Sequence, residues 1–244
     1  MKTQSKIHTL NSPVEQDEQL LNLDQSGWSI GEESFSAIIQ ILKNLNPQRL
    51  LEFGSGTSSI RLAREFPDCY ILSIDHSDSF ANKTRALKDT YAPGAALEVV
   101  VRPVSWQRHG WRWYLSYQPV RLSGEFDAVI IDGPPGGLSR RGREACLHQA
   151  VSHLREGGVV ILDDYIRPEE KQIVDNWLAI YPASFVWRVV NTNHHLCVLE
   201  KKVGRVTEKN APSVLIDNYK EVARLVRNKC RQKLGLLKRR VVSS

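Results

Sequence analysis

The sequence has no apolar run long enough to span a bilayer, and its cleanest apolar stretch, residues 159–162, is only strand-sized. It has no paired or closely spaced cysteines. Cys69, Cys146, Cys197 and Cys230 lie far apart, which excludes a zinc-binding spacing and a small disulfide scaffold. Reduced, mostly buried thiols in a cytoplasmic protein are expected instead. Residues 1–24 lack the apolar segment of a signal peptide, so none is expected. Internal repeats and low-complexity tracts are also missing. What remains is ordinary globular usage, 41% apolar and 25% charged over 244 residues, enough chain for one sizeable core.

Net positive charge is confined to one end. The net charge is +6, yet residues 220–244 carry nine basic side chains against Glu221, a net +8, leaving −2 for the rest. Tyr219, Val222, Val226, Cys230, Leu234 and Leu237 recur there at three- and four-residue intervals. That spacing predicts an amphipathic helix with a basic outer face. Such a helix can simply dock on the body with solvated charges, or meet an anionic surface.

Strand and helix patterns alternate along the chain. Helices are predicted over 31–44, 58–66, 77–89, 140–154 and 168–181. Strands are predicted over 49–53, 69–74, 97–101, 126–131 and 159–162, with a closing hairpin over 185–190 and 195–200. This rhythm demands a mostly parallel sheet with helices on both faces, a Rossmann-like doubly wound α/β fold. Residues 105–123 break the rhythm with Trp106, Trp111, Trp113, Tyr114 and Tyr117 beside Arg108, His109 and Arg112. This aromatic insertion is expected to be a surface loop or a lid over a substrate. The expected division is an N-terminal extension (1–30), the α/β domain (31–202), and a linker with the basic helix (203–244).

The sharpest local motif is Glu52-Phe53-Gly54-Ser55-Gly56-Thr57, where a buried strand enters a glycine turn that opens a helix. Glycine lets the chain turn sharply and lets a ligand come close, and the helix-start amides offer donors. Ser58 and Ser59 stand where a dinucleotide fingerprint has its third glycine. Glu52 would repel a pyrophosphate and suit an ammonium group. Asp75 ends the next strand, 21 residues after Gly54, where a carboxylate can accept both hydroxyls of a ribose.

With these residues the sequence resembles the class I S-adenosylmethionine-dependent methyltransferases. The segment from Glu52 to Thr57 looks like that family's acidic-x-Gly-x-Gly motif, and Asp75 matches its ribose-binding acid. Residues 126–132 (Phe-Asp-Ala-Val-Ile-Ile-Asp) and 157–164 (Gly-Gly-Val-Val-Ile-Leu-Asp-Asp) resemble its fourth and fifth strand motifs. The resemblance spans roughly 31–201 and implies a seven-stranded sheet with a reversed last strand. It also implies cofactor contacts from Glu52, Phe53, Gly54, Ser55, Gly56, Thr57, Asp75, His76 and Asp132, with Ser105 or Trp106 at the adenine.

Asp132, Asp163 and Asp164 end adjacent parallel strands, so they are delivered to one edge of the sheet. Three carboxylates together repel unless protonated or bound to a cation, and oxygen-only donors favour Mg²⁺. The pattern resembles metal-dependent O-methyltransferases of catechols and macrolide sugars. The loop opened by Asp132, Gly133-Pro134-Pro135-Gly136-Gly137, also resembles the Asp-x-Pro-x-Gly loop of plant glucuronoxylan O-methyltransferases. Asp132 is thus expected as a metal ligand, a direct acid/base or positioning group, or a cap. Arg140, Arg141 and Arg143 can bind an acidic substrate or stand solvated at a helix start. His194-His195, His76 and His109 are weaker candidates.

The expected activity is methyl transfer to a small-molecule or sugar hydroxyl, assisted by Mg²⁺. Two rivals use the same fold. One is an NAD-linked enzyme. The other is a non-catalytic binding protein recruited to an anionic partner by its basic tail.

Overall fold

The computed structural model describes residues 30–242, so the N-terminal extension expected over 1–30 lies outside the described residues except at its last position. The elements run α1 (Glu32–Leu45), β1 (Arg49–Phe53), α2 (Thr57–Glu65), β2 (Tyr70–Asp75), α3 (Asp78–Tyr91), β3 (Leu97–Val101), β4 (Val104–His109) and β5 (Arg112–Tyr117). They continue with β6 (Phe126–Ile131), α4 (Glu144–Ala150), β7 (Leu154–Leu162), α5 (Pro168–Ile180), β8 (Phe185–Val190), β9 (Leu196–Lys201) and α6 (Pro212–Val242).

Seven strands form one sheet in the order β3-β2-β1-β6-β7-β9-β8. Within this sheet only β9 runs opposite to the other six strands, so the reversed last strand is present and is flanked by the edge strand β8. Successive strand residues point to opposite faces, and both faces are covered. Leu51, Phe53, Val129, Ile131, Val160 and Leu162 meet Cys146, Ile173 and Trp177 from α4 and α5. Leu50, Ile71, Ala128, Ile130 and Ile161 meet Ile38, Leu42 and Ile60 from α1 and α2. Two-sided burial is why these strands read as continuous apolar runs.

The register sets the site. Phe53 lies opposite Ile74 of β2 and Ile131 of β6, and Ile131 lies opposite Leu162 of β7. Gly54, Asp75, Asp132 and Asp163 therefore leave the sheet side by side at its C-terminal edge.

Two expectations are corrected, for the insertion and for one helix. The aromatic insertion is a two-stranded antiparallel hairpin, β4–β5, with Val104 opposite Tyr117 and His109 opposite Arg112. The helix expected over 140–154 starts only at Glu144, because Arg141, Gly142 and Arg143 are drawn into contacts with the hairpin, the tail and the strand ends. Cys230 is exposed, while the other three thiols are buried.

The C-terminal helix is present, and its first turns are docked. Asn218 bridges the Trp113 backbone, accepting its N–H and donating to its carbonyl, each at 2.9 Å. Asp217 pairs with Arg141. Glu208, just before the helix, meets His109 at 2.5 Å and Arg112 at 3.1 Å. From Val226 to Gln232 every residue is exposed. Among the described residues, no helix is long and apolar enough to cross a membrane.

Candidate active site

A cavity of about 470 Å³ opens at the C-terminal edge of the sheet. Its floor is the glycine turn, Gly54 to Ser58. One side is Asp75, His76 and the α3 residues Phe80, Thr84 and Leu87. The other is Asp132, the loop from Gly133 to Leu138, Arg143, Asp163, Asp164, Arg167 and His194, with Tyr117 from the hairpin.

The glycine turn is held from beneath. Glu52 is wholly buried. Its oxygens accept from Ser58 (2.8 Å), Ser59 (2.5 Å) and Ser73 (2.7 Å). Burial raises its pKa, and the three hydroxyls oppose that rise. Glu52 is not among the residues that line the cavity, and through these three hydroxyls it supports the turn. Phe53 is buried likewise; its carbonyl accepts from the backbone of Asp132 (2.9 Å) and Gly133 (2.7 Å), tying β1 to the end of β6.

Gly54 has φ +109°, and a Cβ there would stand 3.1 Å from the Gly133 nitrogen, so the turn needs glycine on both counts. At Gly56 a Cβ would meet no atom within 4 Å, leaving open cavity above the start of α2. Asp75 accepts from the Ser55 nitrogen (3.1 Å) and hydroxyl (2.7 Å) at one oxygen, and from the Ser77 nitrogen (2.8 Å) at the other. A carboxylate has about four acceptor positions, so Asp75 keeps capacity for a ligand hydroxyl. His76 sits 3.4 Å from it.

Ser105 and Trp106 do not line the cavity. They lie on β4 in the hairpin, where Lys229 of α6 stands 6.0 Å from the Trp106 ring. The stretch expected at the adenine thus lies in the hairpin, beside the tail. The apolar wall next to Asp75 comes from Phe80 and Leu87, which the sequence reading missed.

On the other side of the cavity the carboxylates are met by a buried guanidinium. Arg143 donates to the backbone oxygen of Asp132 (2.5 Å) and to its Oδ1 (3.1 Å), and to the backbone oxygen of Asp163 (3.1 Å). It also lies 3.0 Å from Asp164 Oδ2. Burial raises the pKa of Asp132; Arg143 opposes the rise and Asp163 and Asp164 add to it. Asp163 is raised by burial first and by Asp164 second. Three polar atoms in this wall are buried without a partner among the described residues: the Tyr117 hydroxyl, Asp163 Oδ1 and Arg143 Nε. Burial holds the Tyr117 phenol well above its ordinary pKa, so it stays a donor.

Residues 51–165 match the family model of a methyltransferase domain. Over this span, a little under half of the chain, the protein is similar to a methyltransferase domain. No curated protein matches it in sequence. Solved structures share its fold. The O-methyltransferase TomG from Streptomyces achromogenes, involved in tomaymycin synthesis and solved with S-adenosylmethionine, is 16% identical with a TM-score of 0.58, covering 81% of this chain and 93% of that one. An O-methyltransferase from Bacillus cereus, solved with S-adenosylhomocysteine, is 16% identical with a TM-score of 0.57, covering 80% and 94%.

The lining fits S-adenosylmethionine: an open glycine turn, a carboxylate with spare acceptor capacity and an apolar wall beside it lie together. The expected Mg²⁺ set fits less well. Asp163, Asp164 and His194 can bring one donor each within 4.8 Å of one another, but Asp132 is not in that group. Asp132 Oδ1 and Asp164 Oδ2 are both turned to Arg143, and Asp164 also takes Arg167 at 2.7 Å and His194 at 3.3 Å. A divalent ion held by Asp132 and Asp164 would have to displace or repel a guanidinium already there.

Proposed function

We propose that this methyltransferase domain methylates a hydroxyl oxygen of a small-molecule or sugar acceptor. The observation that carries the reading is Asp132. It stands at the end of β6 on the cavity wall, beside the glycine turn, with burial holding its pKa up. A carboxylate of raised pKa is a better proton acceptor for an alcohol than an exposed one. The solved structures of the same fold include O-methyltransferases that hold the cofactor or its product.

S-adenosylmethionine, when bound, supplies a methyl group on a sulfonium centre. Gly54, Ser55, Gly56 and Thr57 form the floor that receives it, Asp75 and His76 hold the ribose side, and Phe80 and Leu87 shield the planar base. Tyr117 donates its spare hydroxyl to a polar group of the bound ligands. Asp132 orients the acceptor hydroxyl and takes its proton, while Asp163 Oδ1 accepts from a second acceptor hydroxyl. Transfer then depends on holding nucleophile, methyl and sulfur in line, and positioning supplies most of the rate. The Pro135–Leu138 side of the cavity and the rim residues Arg167 and His194 bound the acceptor.

A screen with methyl-labelled cofactor against glycosides and phenols tests this. Once an acceptor is found, Asp132→Asn is expected to lose at least about 100-fold in turnover, with cofactor affinity within a few fold of wild type. Normal turnover by that variant would remove Asp132 from the chemistry.

A further inference from the structure

The arginine between the two strand ends spends its donors in a particular way. A guanidinium has five N–H groups in a fixed fork. On Arg143 the two terminal nitrogens face four acceptors: the backbone oxygen and Oδ1 of Asp132 from β6, and the backbone oxygen of Asp163 with Oδ2 of Asp164 from β7. Glu170 Oε1 approaches at 3.5 Å. The Arg143 side chain is 5% exposed, and its Nε is buried without a partner. Burial alone would weaken its charge, but Asp132, Asp164 and Glu170 outweigh that.

Local chain geometry fixes this arginine. At Gly142 a Cβ would lie 2.6 Å from Pro134 Cγ and 3.0 Å from the Leu115 oxygen, so only glycine lets the segment pass. Ser116 donates to the Gly142 carbonyl at 2.6 Å. Arg141 leaves the other way, to Glu144 and Asp217. The segment is thereby pinned to the hairpin and tail on one side, and Arg143 is aimed at the carboxylates on the other.

We propose that Arg143 is the positioning cation of this site, clamping Asp132 and Asp164 where a divalent metal ion would otherwise be needed, so that methyl transfer here is metal-independent. The clamp stands on the geometry, and its catalytic meaning rests on the methyltransferase reading. A buried cluster of carboxylates needs a compensating charge. A guanidinium supplies one permanently, and its planar fork sets the angle of both acids. Arg143 then acts through Asp132: its terminal N–H groups are spent on protein oxygens, and the acceptor meets the carboxylate.

The test uses the full chain, metal-stripped and loaded with S-adenosylhomocysteine, titrated with Mn²⁺ under paramagnetic resonance detection. The wild type is expected to show no saturable binding up to about 1 mM, a weak-site limit for divalent ions. Arg143→Met uncovers the acids and is expected to bind Mn²⁺ at least about tenfold more tightly, with its melting temperature raised by the ion. Arg143→Lys keeps the charge and is expected to stay ion-insensitive, which a merely structural role for the arginine would not require. One Mn²⁺ per wild-type chain, lost in Asp164→Asn, would overturn the proposal. So would a folded Arg143→Met that ignores Mn²⁺. If Arg143→Met does not fold, the wild-type and lysine arms still decide. Failure of S-adenosylhomocysteine to bind, with the Mn²⁺ results as expected, would sink the methyltransferase reading and leave the clamp standing.

Discussion

Ser59 Oγ lies 2.5 Å from Glu52 Oε2 while the same hydroxyl accepts the Gly56 N–H at 3.1 Å. One side chain thus joins a buried carboxylate to the turn that floors the cavity. Ser59→Ala would take a donor from a wholly buried acid and leave Gly56 without its acceptor. A loss of about 1–3 kcal/mol in urea unfolding is expected, together with weaker S-adenosylhomocysteine binding. A variant as stable as wild type would mean that Ser58 and Ser73 suffice.

Tyr117 presents a different case, because its buried hydroxyl has no partner among the described residues. It also stands where Gly133 must lack a side chain: a Cβ there would be 2.0 Å from the phenol oxygen. Tyr117→Phe should therefore cost the ligand-free protein nothing in melting temperature. Its affinity for S-adenosylhomocysteine, or for the acceptor in a ternary titration, should fall by about tenfold, the worth of one hydrogen bond to a buried group. Destabilisation with unchanged affinity for both would place the hydroxyl's partner within the protein.

His148 gives a pH signature. It is buried between Tyr114 (3.1 Å), Tyr181 (2.6 Å) and the stacked ring of His109, with Arg112 and Glu144 nearby. Burial first, then His109 and Arg112, hold its pKa well below the ordinary 6.5. The folded state thus refuses a proton that the unfolded chain accepts. Stability should fall as pH drops below 6.5, by up to about 1.4 kcal/mol per pH unit. Glu144, raised by burial, works in the opposite sense above its ordinary value of 4.5. The difference between wild type and His148→Gln isolates the histidine: the variant should lose this slope between pH 5 and 6.5. Parallel curves would contradict the assignment.

The strand ends were legible because their signals are local. The glycine turn, Asp75 and the acids after β6 and β7 each sit where an apolar run stops. The donors of Glu52 were not read: Ser58 and Ser59 lie in the same motif and Ser73 on β2, but a carboxylate beside a glycine turn reads first as a ligand contact. The β4–β5 hairpin was hidden because it packs between α4 and α6, so that aromatic and polar residues occur on both its faces and no clean alternation survives. The role of Arg143 was not legible. Its partners lie 11 to 27 residues away, and which of three neighbouring arginines turns inward depends on Gly142 meeting the hairpin.

The most direct measurement is a calorimetric titration of the purified chain with S-adenosylhomocysteine, in chelator and again with Mg²⁺, alongside Asp75→Asn. One-to-one binding in the micromolar range is expected, equal in both buffers and weakened by at least about tenfold in the variant, as for loss of a hydrogen-bonded carboxylate. No binding by the wild type in either buffer would contradict the methyltransferase account.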